Sequence, residues 1–335
     1  MKHSLLFIVL LTFSALYSCG RAKTNETVIY VSEDQVFSEP ILKDFEKATG
    51  IKVRAVFDTE EAKSAGVMNR LIAEKNNPQA DVYWANEPIR AEVLKQMGIA
   101  ATYASPNAAE IPDIFKDTEG YWTGFSARVR VLLSNKNSKD KPSSILAYTD
   151  PRFQGKAVIA NPLFGTTTDE IAGLFTLWGD ACAKDFMEGT KKNQVKVSTS
   201  NGETADMVAS GEFEFGLADS DDAISRIRQG NPVDIIYPDQ GEGEVGALIV
   251  PNAILLIKNA PHPENAKKLI DYILSQETER KLAFSDAAQI PLHPGVEQPQ
   301  EVPKIANIRT MRIDYAKTAQ KVSELRPYLK SWAGS

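Results

Sequence analysis

Short apolar runs alternate with segments of helical periodicity along the first hundred residues. Three β-branched or aromatic runs predict strands, at residues 27–31, 51–57 and 81–84. Three segments carry apolar side chains at helical spacing and predict helices, at residues 39–49, 62–75 and 89–97. Gly50 follows the first of these helices, where a left-handed C-cap is expected. This alternation predicts an α/β fold with a mainly parallel sheet covered by helices.

The same alternation returns in the middle of the chain and again near its end. Further strands are predicted at residues 156–160, 195–197, 213–218, 247–250 and 253–257. Further helices are predicted from residue 165 onward and at residues 203–210 and 264–274. A chain of 335 residues exceeds what a single core usually supports, so two lobes with a cleft between them are expected. We assign residues 27–126 and 248–300 to lobe 1, and residues 127–247 and 301–335 to lobe 2.

The N-terminus has the pattern of a secretory signal. Lys2 precedes an apolar stretch at residues 5–16, which is shorter than a membrane-spanning helix requires. The sequence Leu-Tyr-Ser-Cys at residues 16–19 looks like a lipobox, so residues 1–18 are predicted to be removed and Cys19 to be lipidated. Residues 19–26 would be a tether. An ordinary signal peptide with an incidental cysteine is the alternative. No later apolar run is long enough to span a membrane, so the predicted location is the cell envelope (the periplasm or the outer face of the cytoplasmic membrane), with the lipid as the membrane contact.

Composition and charge exclude several functions. The chain is acidic, with a net charge of -6, and it has no cluster of lysine and arginine, which argues against nucleic acid as a partner. Lipidation of Cys19 would leave Cys182 without a disulfide partner, and we expect Cys182 to be a small buried residue in an apolar helix. The motifs of nucleophilic, nucleotide-dependent and zinc enzymes are missing, and there are three histidines in all. We therefore expect a binding protein without a catalytic cofactor; a secreted hydrolase is the alternative.

Polar side chains follow the predicted strands of lobe 1. In parallel sheets the loops after the strand ends gather at one edge, where ligands bind. The candidate ligand-binding residues of these loops are Glu33, Asp34, Thr59, Glu60, Asn86 and Glu87.

Two features of lobe 2 suggest charged ligands. Thr166 and Thr167 begin a predicted helix, where hydroxyls and unpaired N–H groups favour an anion, although with Glu170 they also make a capping box. Asn201, in the loop at residues 198–202, lies in a similar position. The second feature is acidic: Asp219, Asp221 and Asp222 follow the strand at residues 213–218. Clustered carboxylates repel one another unless a cation neutralises them, and they suit hard metal ions; an acidic first helical turn is the alternative.

The order of these segments resembles the periplasmic ferric-iron-binding proteins of ABC importers, within the larger family of extracellular solute-binding proteins. The resemblance runs over residues 27–295, and its most specific pieces are residues 43–53, 79–84, 121–133 and 263–275. It implies the two-lobed type 2 periplasmic-binding-protein fold, in which hinge strands let the lobes close on a ligand. It also implies that the protein delivers a ligand to the permease subunits of an importer.

The resemblance also implies a set of ligand residues. The family's histidine position falls on Asp34 or the adjacent Glu33, its glutamate on Glu87, and its two tyrosines on Asp221 and Asp222. Its anion positions fall on Thr166 and Thr167, with Arg128 or Arg130 nearby.

Two ligand hypotheses follow from this set. In one, Asp34, Glu87, Asp221 and Asp222 bind a hard cation such as Fe(III) together with a synergistic anion. In the other, the same cleft binds an organic ligand. That ligand would be a polyamine held by carboxylates, or a phosphorylated or phosphonate compound held by the threonines and an arginine.

Overall fold

The computed structural model describes residues 25–58 and 66–334 of the chain. The predicted signal, Cys19, most of the tether, and the candidate ligand residues Thr59 and Glu60 lie outside these ranges. The strands are β1 (Glu26–Val31), β2 (Lys52–Phe57), β3 (Val82–Ala85), β4 (Ala100–Ala101), β5 (Thr123–Asn135), β6 (Ala157–Ala160), β7 (Lys196–Ser198), β8 (Phe215–Asp219), β9 (Val233–Ile236) and β10 (Ile249–Ile257). The helices are α1 (Gln35–Thr49), α2 (Gly66–Ala73), α3 (Pro88–Gln96), α4 (Gly165–Trp178), α5 (Asp180–Lys192), α6 (Asn201–Ala209), α7 (Ser220–Arg228), α8 (Pro263–Ile273), α9 (Gln276–Phe284) and α10 (Tyr315–Ala333). Among the helices described, none is long and apolar enough to cross a membrane.

The strands form one continuous sheet in the order β2-β1-β3-β10-β5-β8-β6-β7, with β4 beside β10 and β9 beside β5. The outer strands are parallel, as predicted: β1 with β2 and β3, and β6 with β7 and β8. At the centre, β5 and β10 pair in antiparallel fashion with each other and with their neighbours. The prediction of a mainly parallel sheet is therefore wrong for the centre, because these two strands run back between the two halves.

Two lobes meet at the central strands. The first part of β5 pairs with β10 in lobe 1, and from Arg130 onward β5 pairs with β8 and β9 in lobe 2. All thirteen residues of β5 are buried. The register of the β5–β10 pair shifts between Pro251 and Asn252, and Ser126 in the facing strand has a positive φ of 38°. A bulge bends a strand at this point, and it lies where the chain passes from one lobe to the other.

A buried glutamate holds this crossing in place. Glu279 of α9 is fully buried, and its carboxylate accepts hydrogen bonds from the backbone N–H groups of Ser126, Leu292 and His293 at 2.7–2.9 Å. The His293 ring adds a fourth contact at 2.8 Å. Hydrogen bonds to an ionised carboxylate are stronger than neutral ones. Glu279 therefore ties the bulged segment of β5 to lobe 1.

The C-terminal helix α10 packs against α4 of lobe 2 and also against α3 of lobe 1. Its first residue, Tyr315, makes an edge-on contact with Trp122, with 5.2 Å between ring centroids. The sequence places residues 301–335 in lobe 2; in the structure this last helix contacts both lobes.

One prediction about a side chain is wrong. The helix expected around Cys182 breaks at Gly179, which has a φ of 79°, and a second helix, α5, begins at Asp180. The buried face of α5 carries Ala183, Phe186, Met187 and Thr190. Cys182 lies off this face and is exposed rather than buried. Because α5 is amphipathic, its own periodicity decides which residues face the core.

Candidate ligand-binding cleft

The candidate residues gather where strands of both lobes end at the crossing. Glu33 follows β1, Asn86 and Glu87 follow β3, and Asp219 is the last residue of β8. Two arginines, Arg128 and Arg130, stand between them on β5. A spacing of two residues directs both side chains to the same face of the sheet, and both are buried, with exposed fractions of 8% and 0%.

Arg130 organises a closed hydrogen-bond network in lobe 2. Its Nη1 donates to Thr166 Oγ1 at 3.0 Å and to Asp219 Oδ1 at 2.8 Å, and its Nη2 donates to Thr167 Oγ1 at 2.9 Å. Asn201 Nδ2 donates to Thr166 at 2.9 Å and to Asp219 at 3.2 Å, and Asn201 Oδ1 accepts from Thr167 at 3.2 Å. Thr166 in turn donates to the Asp219 carboxylate at 2.9 Å. Among the described residues Arg130 Nε has no hydrogen-bond partner, but both Nη atoms and the neighbouring side chains bond one another, and such buried networks are rigid.

This network changes the interpretation of the two threonines. Each hydroxyl has one proton to donate, and both protons are directed to partners within the network. Near the start of α4, Thr166 donates to the Asp219 carboxylate, whereas Thr167 donates to the Asn201 side-chain oxygen. The predicted capping box is wrong, because the N-cap of α4 is Phe164, which provides no side-chain cap. Whether an anion also binds here stays a prediction.

Arg128 lies between the two lobes. One of its Nη atoms donates to the backbone carbonyl of Asn86 in lobe 1. Its guanidinium is within electrostatic range of Glu33 and Asp34 in lobe 1 and of Asp219 and Asp221 in lobe 2. Burial disfavours the guanidinium charge, but these carboxylates outweigh burial and raise the pKa of Arg128. A permanent positive charge therefore stands at the centre of the cleft.

Three carboxylates meet beside it. Oxygen atoms of Asp219, Asp221 and Asp222 lie within 4.8 Å of one another. Burial would raise the pKa of Asp219, but Arg130, Arg128 and the hydrogen bonds outweigh it, so this pKa is lowered. Burial raises the pKa of Asp221 to about 6, against the opposing charge of Arg128. Burial, together with the charges of Asp221 and Asp219, raises the pKa of Asp222 to about 8.

The partners of the three carboxylates explain this difference. Asp219 forms an ion pair with Arg130 at 2.8 Å. Asp221 accepts a hydrogen bond from the backbone N–H of Asp222 at 3.0 Å. Among the residues that the structure describes, no arginine or lysine lies within 4.0 Å of the Asp221 or Asp222 carboxylate. The described part of the protein thus provides no ion-pair partner for the two aspartates at the start of α7.

The four predicted metal ligands are not all part of this cluster. Glu87 is the N-cap of α3: its Oε2 accepts from the Arg90 backbone N–H at 3.2 Å, and its Oε1 forms an ion pair with Arg90 Nε at 3.0 Å. Within the described ranges, the group with metal-compatible spacing consists of Asp219, Asp221 and Asp222, without Asp34 or Glu87. A metal site formed by Asp34, Glu87, Asp221 and Asp222 stays a prediction.

Glu33 connects the cleft to the bulge between the lobes. Gln289 Nε2 donates to Glu33 Oε1 at 3.2 Å, and Asn252 Nδ2 donates to Gln289 Oε1 at 2.9 Å. The same Nδ2 donates to the Ser126 carbonyl at 2.6 Å. The sequence offered no signal for Gln289, because its partners are 37 and 256 residues away. The network joins a candidate ligand residue to the point where β5 and β10 bend.

Comparisons with known proteins support the fold and the class of protein. A family described as "Bacterial extracellular solute-binding protein" matches residues 41–310. A putative 2-aminoethylphosphonate-binding periplasmic protein of Salmonella typhimurium is 29% identical over 243 residues, which are 71% of this chain and 69% of that protein. Iron uptake protein A1 of Synechocystis is 26% identical over 321 residues, 87% of this chain and 86% of that protein. The solved structure of a ferric binding protein from Campylobacter jejuni superimposes with a TM-score of 0.81 at 23% identity, and the match covers 92% of this chain and 99% of that one.

Proposed function

This chain belongs to the family of bacterial extracellular solute-binding proteins, and we propose that it captures a small, positively charged solute in the cleft between its lobes and delivers it to the permease of an ABC importer. One observation supports a positive charge on the ligand. Asp221 and Asp222 are half-buried carboxylates, and the described residues hold no cation within ion-pair distance of either. A ligand that supplies this cation gains their full attraction, because closure of the lobes excludes water from the site.

An organic ammonium compound would find most of the hydrogen-bond acceptors that it needs in this site. An ammonium group needs two or three acceptors, and Asp221 and Asp222 supply them at the start of α7. Arg128, beside them, would attract an acidic group on the same ligand. The similarity to a putative 2-aminoethylphosphonate-binding protein, whose ligand has both kinds of group, supports this reading.

A hard metal ion is the second candidate, and the spacing of the three carboxylates supports it. The similarity to iron uptake protein A1 also supports it. Six or more oxygen ligands would be typical of a hard cation, and Asp219 is already bound to Arg130, Thr166 and Asn201. A metal ion would therefore need oxygens from a co-bound anion or from lobe 1, as the sequence prediction with Asp34 and Fe(III) assumes.

Binding of defined probes tests the proposal. The full mature chain is purified, any bound solute is identified by native mass spectrometry and elemental analysis, and thermal unfolding is then followed with added probes. The probes are 2-aminoethylphosphonate, 1,4-diaminobutane, Fe(III) citrate and, as an anion without a cationic group, inorganic phosphate. At about 100 times its dissociation constant a ligand stabilises by about 2.7 kcal/mol. We expect at least one cation-bearing probe to raise the melting temperature. A response to phosphate alone, or to none of the cations, would contradict the proposal.

The affinity for a cation should rise with pH, because the carboxylates of the site ionise as the pH increases. Cations bind the ionised form, whereas Asp222, with a pKa of about 8, holds its proton at neutral pH, and Asp221, with a pKa of about 6, does so in weak acid. We expect the affinity for a cation to rise at least about tenfold between pH 5 and pH 8, with release of protons on binding. Calorimetry in two buffers of different ionisation enthalpy measures that release. Proton uptake on binding would point to an anionic ligand instead.

We also propose that the protein is anchored in the cell envelope through a lipid on Cys19, with the permease as its neighbour in the membrane. The lipobox-like residues 16–19 support this anchor, and residues 1–24 lie outside the described ranges. Replacing Cys19→Ala should move the protein from the detergent phase to the aqueous phase in phase-separation experiments with whole cells. If the variant and the parent partition alike, the anchor is wrong. Signal cleavage after position 18, read by mass spectrometry, is the accompanying control.

A further inference from the structure

Asp169 is a buried carboxylate for which the protein provides no partner. It lies near the start of α4, three residues after Thr166, and its exposed fraction is 6%. Within residues 25–58 and 66–334, its side chain makes no hydrogen bond and no ion pair, in contrast to Asp219, which makes several. An unpaired carboxylate taken out of water is costly to the folded state. A function in binding explains why such a group is placed here.

Glu87 of lobe 1 is a neighbouring carboxylate. Burial raises the pKa of Asp169 well above its usual value, and the charge of Glu87 raises it further, while Arg90 opposes the rise. Tyr315, at the start of α10, is within electrostatic range of both carboxylates. Arg90 already pairs with Glu87 at 3.0 Å and stands more than 4.0 Å from Asp169. Arg90 is therefore the partner of Glu87, and Asp169 is left without a cationic partner among the described residues of the two lobes.

This place differs from the one at Asp221 and Asp222, because the charges that act most strongly on Asp169 are those of Glu87, Arg90, Arg130 and Asp219. Arg128 is close to both places: its guanidinium contacts the Asn86 carbonyl, next to Glu87, and is within electrostatic range of Asp221. A single metal ion could pair with the carboxylates of one place, either Asp169 with Glu87 or Asp221 with Asp222. An organic molecule with two cationic ends reaches both.

We propose that Asp169 and Glu87 form a second cation subsite of the cleft, and that the solute is a short organic dication such as an aliphatic diamine. This inference rests on the proposed function and narrows it, because the first ammonium group would bind at Asp221 and Asp222. The second group would be enclosed between α3 and α4 when the lobes close. Asp169 would then be paired only in the liganded protein.

A pair of amines of the same length tests the second subsite. Dissociation constants of 1,4-diaminobutane and n-butylamine are measured by calorimetry at pH 8 for the full mature chain, for Asp169→Asn, and for the control Asp185→Asn, an exposed aspartate of α5. We expect the parent protein to bind the diamine at least about tenfold more tightly than the monoamine. Asp169→Asn should remove that difference without weakening the monoamine, and Asp185→Asn should leave both constants unchanged.

The ligand-free protein provides a second measurement. Asparagine has nearly the shape of aspartate but no charge to bury, so Asp169→Asn should keep or raise the melting temperature at pH 8. A lower melting temperature would indicate a structural role and overturn the inference. Equal affinity for the two amines in the parent, or an unchanged diamine affinity in Asp169→Asn, would overturn it as well. If butylamine binds through Asp221 and Asp222 but the diamine binds no more tightly, the second subsite is wrong and the proposed function stands. If neither amine binds, and the other cationic probes also fail, the proposed function fails with it.

Discussion

Replacing Asp221→Asn and Asp222→Asn together should abolish the thermal stabilisation that a cation-bearing ligand confers on this protein. The two carboxylates are the charges that a bound cation would neutralise, and both have raised pKa values because burial and neighbouring carboxylates disfavour their ionised forms. Their amides keep the shape of the site and remove its charge. We expect an affinity loss of at least about a hundredfold, which is about 2.7 kcal/mol, measured by calorimetry and thermal unfolding.

The control for this double variant removes the same charge elsewhere. Asp113 and Asp286 have side chains that are 97% and 94% exposed, and their partners are surface cations. Asp113→Asn with Asp286→Asn should leave the affinity unchanged, since exposed ion pairs contribute little. The ligand-free Asp221→Asn, Asp222→Asn protein should be at least as stable as the parent above pH 6, because the folded protein no longer ionises these groups against their repulsion. If the ligand stabilises the double variant as much as the parent, Asp221 and Asp222 do not bind its cationic group.

Replacing Arg130→Met should destabilise the protein by about 3–5 kcal/mol, the usual cost of removing one partner from a buried ion pair. Arg130 is fully buried and bonds Asp219, Thr166 and Thr167 at once. Its loss leaves the Asp219 charge buried without the cation that lowers its pKa. The midpoint and slope of urea unfolding at pH 7 measure the change in free energy.

Two further variants separate the charge effect from lost packing. Arg152→Met is the matched control, because that arginine is 66% exposed and pairs with Asp150 on the surface; it should change stability by less than about 1 kcal/mol. Adding Asp219→Asn to Arg130→Met should recover part of the loss, since the carboxylate no longer has to be neutralised. A loss below 1 kcal/mol for Arg130→Met, or no recovery in the double variant, would mean that the ion pair does not hold this part of lobe 2 together.

The arrangement suggests how charge and closure are connected. Arg128 acts on carboxylates of both lobes, and Glu33 reaches the bulge at Asn252 through Gln289. A ligand that changes the balance of charge around Arg128 therefore acts on the segment where β5 and β10 bend. A ligand shifts such an equilibrium only by its difference in affinity for the two states, and carboxylates on facing lobes provide that difference.

The amino-acid pattern alone was enough to predict the fold class, most helices and strands of the alternating regions, and the polar loops after the strand ends. These are local properties, since strand and helix periodicities repeat every few residues and polar loops follow the strand ends. The C-terminal helix and the central antiparallel strands were missed or misjudged. Their partners are far away in the chain, as for α10, which packs on both α3 and α4.

Which charges are paired depends on contacts that form when the chain folds. The sequence presents Asp219, Asp221 and Asp222 as one acidic group, yet Asp219 is bound by Arg130, 89 residues away, while the other two have no ion-pair partner among the described residues. The sequence gives no reason to separate Asp169 from any other aspartate near the start of a helix. Whether a carboxylate is neutralised depends on distances of a few ångströms between lobes, because burial and neighbouring charge together determine its ionisation. That is information that local periodicity does not contain.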